Sequence, residues 1–134
     1  MKNNSFKVSY RVIYGDTDRL GVVYNANYFR FFEIGRNELF RNLGITYKTI
    51  EEKKIFLPVA EANCKYIKPI HYDDIIIIET SIDPEYKKGI CFLYTIFSED
   101  EKKVCAKGFT KHAFINSEHK VIRPPEFIKD LMLD

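Results

Sequence analysis

The sequence predicts an α+β fold in which an antiparallel sheet of about five strands wraps around one long central helix. Three observations support this prediction. The chain has 134 residues, 46% of them apolar and 15% aromatic, which is enough for one well-filled core. One long segment shows helical spacing of its apolar residues, and five shorter segments have the composition of strands. We therefore expect a single domain that spans residues 1–134.

The first strand is predicted from an alternation with a period of two. Apolar and aromatic side chains occupy every second position from Phe6 to Tyr14. Turn-forming residues from Gly15 to Asp18 then interrupt the pattern, and Gly21 follows in the same segment. We expect a loop here, directly before the long helix.

The long helix is predicted between Tyr28 and Leu43. Its apolar face repeats at intervals of three and four residues and consists of Tyr28, Phe31, Phe32, Gly35, Leu39 and Leu43. The residues expected to face away from the core are Arg30, Arg36, Asn37 and Arg41. Asn25 or Asn27 is a suitable N-cap, and Gly44 stands where a helix commonly ends.

The second half of the chain is predicted to be mostly strands. After a weaker helical segment, 47–54, the predicted strands are 59–67, 75–82, 90–97 and 104–115. Pro, Gly and Asp residues and one charged turn separate them. Long strands that follow each other so closely favour hairpins, and hence an antiparallel sheet.

Composition excludes several classes of function. The formal net charge is only +2, which argues against a nucleic-acid partner. The longest aliphatic run, 75–78, is far shorter than the ~20 residues of a membrane span, and the first residues lack an apolar signal segment. Cys64, Cys91 and Cys105 are odd in number and form no metal-binding motif. We expect a cytoplasmic protein with reduced thiols and no metal.

The segment 15–28 is the part of the sequence best suited to chemistry. It is an acidic loop that leads into the start of a buried helix. Free N–H groups at a helix start can polarise a carbonyl group, and a nearby carboxylate can attack it or activate water. The alternative is structural, because Asp16 and Asp18 could simply form Asx turns or stabilise the helix dipole. Spacing alone leaves both interpretations open.

A resemblance to a known family favours the chemical interpretation. The segment 11–24, RVIYGDTDRLGVVY, closely resembles the signature of the 4-hydroxybenzoyl-CoA thioesterase family, and the segment 25–33, NANYFRFFE, is similar to its continuation in acyl-CoA thioester hydrolases. This resemblance implies the hot-dog fold, a helix wrapped by an antiparallel sheet, over the whole chain. It also implies hydrolysis of an acyl-CoA thioester to the free acid and CoA.

The resemblance also implies roles for individual residues. Asp18 takes the position of the catalytic carboxylate, which either attacks the thioester or directs a water molecule onto it. The backbone N–H of Asn25 takes the position of the oxyanion donor. The residues implied to bind or support the substrate are Gly21, Tyr24, Tyr28 and Glu33. The sequence departs from the family pattern at two positions: some relatives carry His where this chain has Val22, and others carry His where it has Asn25.

The resemblance implies a homodimer or homotetramer, and it implies no cofactor beyond the CoA that belongs to the substrate. Cations at the rim of the site would bind the CoA phosphates, and the candidates are Lys65, Lys68, Lys87, Lys88 and Arg123. Two alternatives remain open. The thiol carrier could be acyl carrier protein rather than CoA, or the protein could bind acyl thioesters without hydrolysing them. The sequence does not determine the acyl group.

Overall fold

The structure is a computed structural model, and it describes residues 5–132. Five strands form one antiparallel sheet, as predicted: β1 (Ser5–Arg11), β2 (Val59–Tyr66), β3 (Ile75–Ile82), β4 (Ile90–Ser98) and β5 (Val104–His112). Their order across the sheet is β1-β3-β4-β5-β2. A small ribbon, β6 (Phe114–Ile115) with β7 (Val121–Ile122), and the helix α3 (Glu126–Met132) follow the sheet.

The strands alternate between a buried and an outer face. In β3, Ile76 and Ile78 are buried, whereas Ile75 and Ile77 are only partly buried. Ile78 lies opposite Val8 of β1 and Ile96 of β4, so one row of apolar side chains crosses three strands. The period of two that predicted the strands therefore corresponds to the face that receives the helix.

The helix α1 (Asn27–Asn42) packs against β1, β3 and β4. With 16 residues it is about 24 Å in length, so it is of moderate length rather than long. Its buried residues are Tyr28, Phe31, Phe32, Gly35, Leu39 and Phe40. A second helix, α2 (Tyr47–Glu52), follows after Gly44, whose φ of 89° is the left-handed value that favours glycine at a helix end.

Three local predictions were wrong. β1 ends at Arg11, and Tyr14, predicted to belong to it, is 80% exposed in a short 3-10 turn. Neither Asn25 nor Asn27 caps α1, because Ala26 occupies the N-cap position without a side-chain bond. Arg36, predicted to face outward, donates hydrogen bonds to the buried side of the sheet.

The helices give no indication of a membrane span. Within residues 5–132, none of them combines the length and the apolar character needed to cross a bilayer.

Candidate active site

The loop between β1 and α1 folds back on itself in a tight turn. The N–H of Gly21 donates to the carbonyl of Asp18 at 3.1 Å, and the N–H of Asp18 donates to the carbonyl of Val22 at 2.8 Å. Gly21 has a φ of 80°, which a residue with a Cβ rarely adopts. Gly21 therefore shapes the turn that carries Asp18.

The carboxylate of Asp18 is exposed and only partly engaged. Its Oδ1 accepts a hydrogen bond from the N–H of Leu20 at 2.8 Å, which is an Asx turn. Among the residues described, no donor pairs with its Oδ2. The structural interpretation is thus correct for one oxygen, and the other oxygen is available for chemistry.

The start of α1 provides a free donor next to this loop. The N–H of Tyr24 donates to the carbonyl of Asp16, and that of Asn27 donates to the carbonyl of Tyr24. Between them the N–H of Asn25 finds no acceptor within the part of the chain that the structure describes. Asn25 is also exposed, so this N–H can bind an oxygen atom of a ligand.

Asn25 lines a cleft of about 250 Å³ between the helix start and the end of β2. The Tyr66 hydroxyl donates to the Asn25 carbonyl at 3.0 Å, which ties β2 to the helix start. The ring of Tyr66 meets that of Tyr28 edge to face, with centroids 4.8 Å apart. The lining residues are Val22, Val23, Asn25, Tyr28, Tyr66, Ile67, Lys68 and Pro69.

The tyrosine and cysteine side chains near the cleft stay protonated. Burial raises the pKa of Tyr28 to about 12 and the pKa of Cys64 to about 11. Neither group is therefore a base or a nucleophile near neutral pH. Asp18 is left as the carboxylate that lies closest in sequence to the free Asn25 N–H.

The predicted site residues are placed as follows. Asn25 and Tyr28 line the cleft, whereas Asp18 and Gly21 do not; the N–H of Asp18 donates to the carbonyl of Val22, which is a lining residue. Tyr24 is 56% exposed and Glu33 is exposed on α1, and neither lines the cleft. Of the five candidate phosphate-binding cations, Lys68 is the one in its wall.

Sequence reasoning did not identify Tyr66 or Pro69. Both come from β2 and the segment after it, more than thirty residues beyond the motif, and no local pattern connects them with Asn25. The one available signal was the position of Tyr66 near the end of a predicted strand. Lys68 and Pro69 also border a neighbouring depression of about 460 Å³, which extends the cleft along the surface.

The side chains show no arrangement that would hold a metal. Within residues 5–132, no group of three His, Cys, Asp or Glu side chains is placed to bind an ion. Cys64, Cys91 and Cys105 are all free thiols.

The chain is similar to proteins of one family in both sequence and structure. Residues 12–132 match the profile of the thioesterase-like superfamily. The acyl-CoA thioesterase YbgC of Haemophilus influenzae is 39% identical over 70% of this chain and 68% of its own. A hypothetical protein of Aquifex aeolicus has a crystal structure with a TM-score of 0.88, 30% identity and coverage of 95% of this chain and 98% of its own. A mutant 4-hydroxybenzoyl-CoA thioesterase in complex with 4-hydroxybenzoyl-CoA has a similar fold, with a TM-score of 0.84 at 20% identity over 96% of this chain and 99% of its own.

Proposed function

Because the chain belongs to the thioesterase-like superfamily and has its hot-dog fold, we propose that it hydrolyses acyl-CoA thioesters with Asp18 and the Asn25 N–H as its catalytic groups. The family resemblance predicted from the loop motif is confirmed. Relatives with the same activity support the reaction, and the assignment of Asp18 and Asn25 is our proposal.

The observation that carries the proposal is that the segment between β1 and α1 holds both an exposed carboxylate, Asp18, and an unpaired N–H, that of Asn25. The N–H would donate to the thioester oxygen and stabilise the negative charge that develops there. Asp18 would either attack the carbonyl carbon, giving a mixed anhydride that water then opens, or deprotonate the attacking water. In both routes one water molecule is consumed, the C–S bond breaks, and the products are a carboxylic acid and CoA.

We propose that the reaction needs no metal and no redox cofactor. Hydrolysis of a thioester changes no oxidation state, and an activated water with an oxyanion donor is sufficient chemistry for it. Lys68 lies on the wall that joins the cleft to the neighbouring depression, so its ammonium group would attract the CoA phosphates. The free thiols favour a reducing compartment, and we propose that the protein acts in the cytoplasm.

The test is the release of free thiol from a panel of acyl-CoA esters with aryl, short aliphatic and long aliphatic acyl groups. We expect the wild type to hydrolyse at least one ester and Asp18→Asn to lose about 10²-fold or more in kcat, since the amide is neither nucleophile nor base. Asp73→Asn is the matched control, because Asp73 is also an exposed loop carboxylate and lies at a different turn.

Two results would redirect the proposal. Fast turnover of acyl carrier protein esters with slow turnover of every CoA ester would identify the carrier protein as the thiol partner. Tight binding of acyl-CoA without hydrolysis by the wild type would contradict the enzymatic proposal and favour a non-catalytic binding protein.

We further propose that two copies associate through β2. This strand is at one edge of the sheet, and every one of its residues except Cys64 is exposed. An edge strand of eight residues, seven of them exposed, is a template for pairing with another strand, and Tyr66 would bring the cleft of one copy close to the other. Sedimentation should give a dimer or tetramer, and a monomer at micromolar concentration would contradict this.

A further inference from the structure

Asp16, two residues before the proposed catalytic carboxylate, is a buried charge that the mechanism does not use. It is 1% exposed. Its Oδ2 accepts hydrogen bonds from the Tyr10 hydroxyl at 2.8 Å and from the Ile13 N–H at 2.9 Å. Its Oδ1 pairs with the guanidinium of Arg30 on α1. A buried carboxylate with this many donors is held in one orientation.

The backbone of Asp16 makes a second set of contacts. Its carbonyl accepts from the Tyr24 N–H at 3.0 Å and from the side-chain amide of Asn27 at 2.8 Å. The side chain therefore joins β1 to α1, while the carbonyl joins the two arms of the loop to the helix start. Asp18 and Asn25 are both within two residues of these contacts.

We propose that Asp16 is a positioning residue that fixes the distance between the Asp18 carboxylate and the Asn25 N–H. Asp18 has one bonded oxygen in an exposed turn, so its own contacts restrain it weakly. The rigid group is Asp16, which anchors both arms of the loop to the helix and, among the described residues, forms no hydrogen bond or ion pair with a residue that lines the cleft. A displacement of about 1 Å between reacting groups can cost about 10²-fold in rate, so such an anchor has catalytic consequences.

Arg30 offers a way to test this without unfolding the protein. Its side chain is 45% exposed, so a shorter residue there leaves the core intact. The Asp16 carboxylate would keep its bonds to Tyr10 and to the Ile13 N–H but lose the bond that ties it to α1. The arm of the loop that carries Asp18 would then move relative to the helix start, while the contacts of Tyr66 with Asn25 and Tyr28, which hold the opposite side of the cleft, would remain.

The experiment compares Arg30→Met and Arg30→Lys with the wild type, using the best acyl-CoA ester from the panel. We expect Arg30→Met to lower kcat about tenfold with KM changed less than twofold, and Arg30→Lys to recover part of kcat through its remaining charge. Arg41→Met is the matched control, because Arg41 forms an exposed ion pair with Glu38 on the same helix, away from the loop. This control should keep the wild-type kcat.

The same substitution in the Asp18→Asn background separates positioning from a general structural effect. This inference rests on the proposed function, so removing the Asp18 charge should remove most of the effect of Arg30→Met, leaving less than a twofold change in the residual rate. An equal loss in both backgrounds, or a change in KM alone, would overturn the positioning role. Asp18→Asn with wild-type activity would overturn the proposed function itself, whereas an inactive Asp18→Asn with a fully active Arg30→Met would overturn only the role of Asp16.

Discussion

At position 25 the proposed chemistry depends on a backbone group rather than on a side chain. Some members of the resembling family carry His at this position, and this chain carries Asn. The Asn25 carbonyl is held by Tyr66 and by the N–H of Tyr28, while its own N–H is unpaired within the described residues. The absence of an imidazole side chain therefore leaves the proposed oxyanion donor in place.

Substitutions of Asn25 can separate the backbone from the side chain. We expect Asn25→Ala to keep kcat within a few-fold, because the N–H remains. Asn25→Pro removes the N–H without breaking any described hydrogen bond, and we expect it to lower kcat by about 10²–10³-fold, as for other oxyanion donors. Steady-state kinetics of the two variants are the measurement. A folded proline variant with near wild-type kcat would show that another group binds the oxyanion.

Only the family resemblance indicated which of the two acidic residues of the loop, Asp16 or Asp18, takes the catalytic position. Their spacing allowed either to be catalytic, and nothing local predicted that Asp16 would be 1% exposed. That burial depends on Tyr10 and Arg30, which come from a strand and a helix on either side of the loop. Such contacts between separate elements cannot be read from a periodic pattern.

At the scale of elements, the approach of α1 to β3 depends on Gly35. A Cβ placed on Gly35 would lie 2.2 Å from Oγ1 of Thr80 and 2.8 Å from Cγ2 of Ile78. Thr80 is fully buried, and its hydroxyl has no partner among the described residues. The helix can therefore lie this close to the sheet only because this position has no side chain.

Gly35→Ala should force α1 away from β3. We expect a loss of about 1–3 kcal/mol in the free energy of unfolding, measured by urea denaturation, as for other overpacked cores. Adding Thr80→Ala should restore part of the loss, because it removes the closest atom and breaks no described hydrogen bond. Gly15→Ala is the control, since its Cβ would meet no atom within 4 Å. Equal losses at positions 15 and 35 would contradict this explanation.

Most element types were predictable because one face of each element is buried. The strand 75–82 and the start of α2 at Tyr47 agree with the sequence pattern. The end of β1 was not predictable from the sequence. Apolar residues continue to Tyr14, but the 3-10 turn, which Asp16 holds in place, directs Tyr14 to solvent. The predicted strand 104–115 includes β6, and β7 was not predicted, since two residues are too short for a period.

Across the whole molecule, a chain of hydrogen bonds runs through the interior between α1 and the sheet. Arg36 donates to the Tyr94 hydroxyl at 3.3 Å, and the hydroxyls of Tyr94 and Thr110 are 2.6 Å apart. His112 contacts Thr110 through Nε2 and the Leu57 carbonyl through Nδ1. A carbonyl only accepts, so Nδ1 must carry the proton, and in the neutral ring Nε2 must accept from Thr110. The donor and the acceptor of every hydrogen bond in this series are then determined.

The histidine in this series of hydrogen bonds makes the stability of the protein sensitive to acid. Burial, together with the charge of Arg36, lowers the pKa of His112 from 6.5 to about 4, against the opposing effect of its bond to Leu57. Above pH 6.5 the ring is neutral in the folded and unfolded states. Between pH 6.5 and about 4 only the unfolded chain binds the proton, so the free energy of unfolding should fall by about 3 kcal/mol over this range.

Urea unfolding at several pH values between 7 and 4 tests this prediction. His112→Asn keeps a donor for Leu57 but cannot titrate, so its stability should decrease less steeply with acidification, whatever its value at pH 7. His119→Asn is the control, because His119 is exposed in a turn. A variant at position 112 with the wild-type slope would show that other groups cause the acid sensitivity.

The series of hydrogen bonds in the interior could not be predicted from the sequence. Its members come from α1, β4, β5 and the segment before β2, and each of them looked like an ordinary strand or surface residue. Arg36 in particular was predicted to face outward with the other charged residues of the helix, and it reaches the interior because its long side chain extends toward Tyr47 and Tyr94.

The position of β2 in the sheet also has a consequence for how the chain folds. β2 pairs only with β5, and the whole β3–β4 hairpin lies between them in the sequence. On a ribosome, β2 would leave the exit tunnel with no strand to join until residues 104–112 had followed. We therefore expect docking of β2 to be a late step in refolding, because its partner strand β5 has to form first and the pairing then closes a loop that contains the whole β3–β4 hairpin.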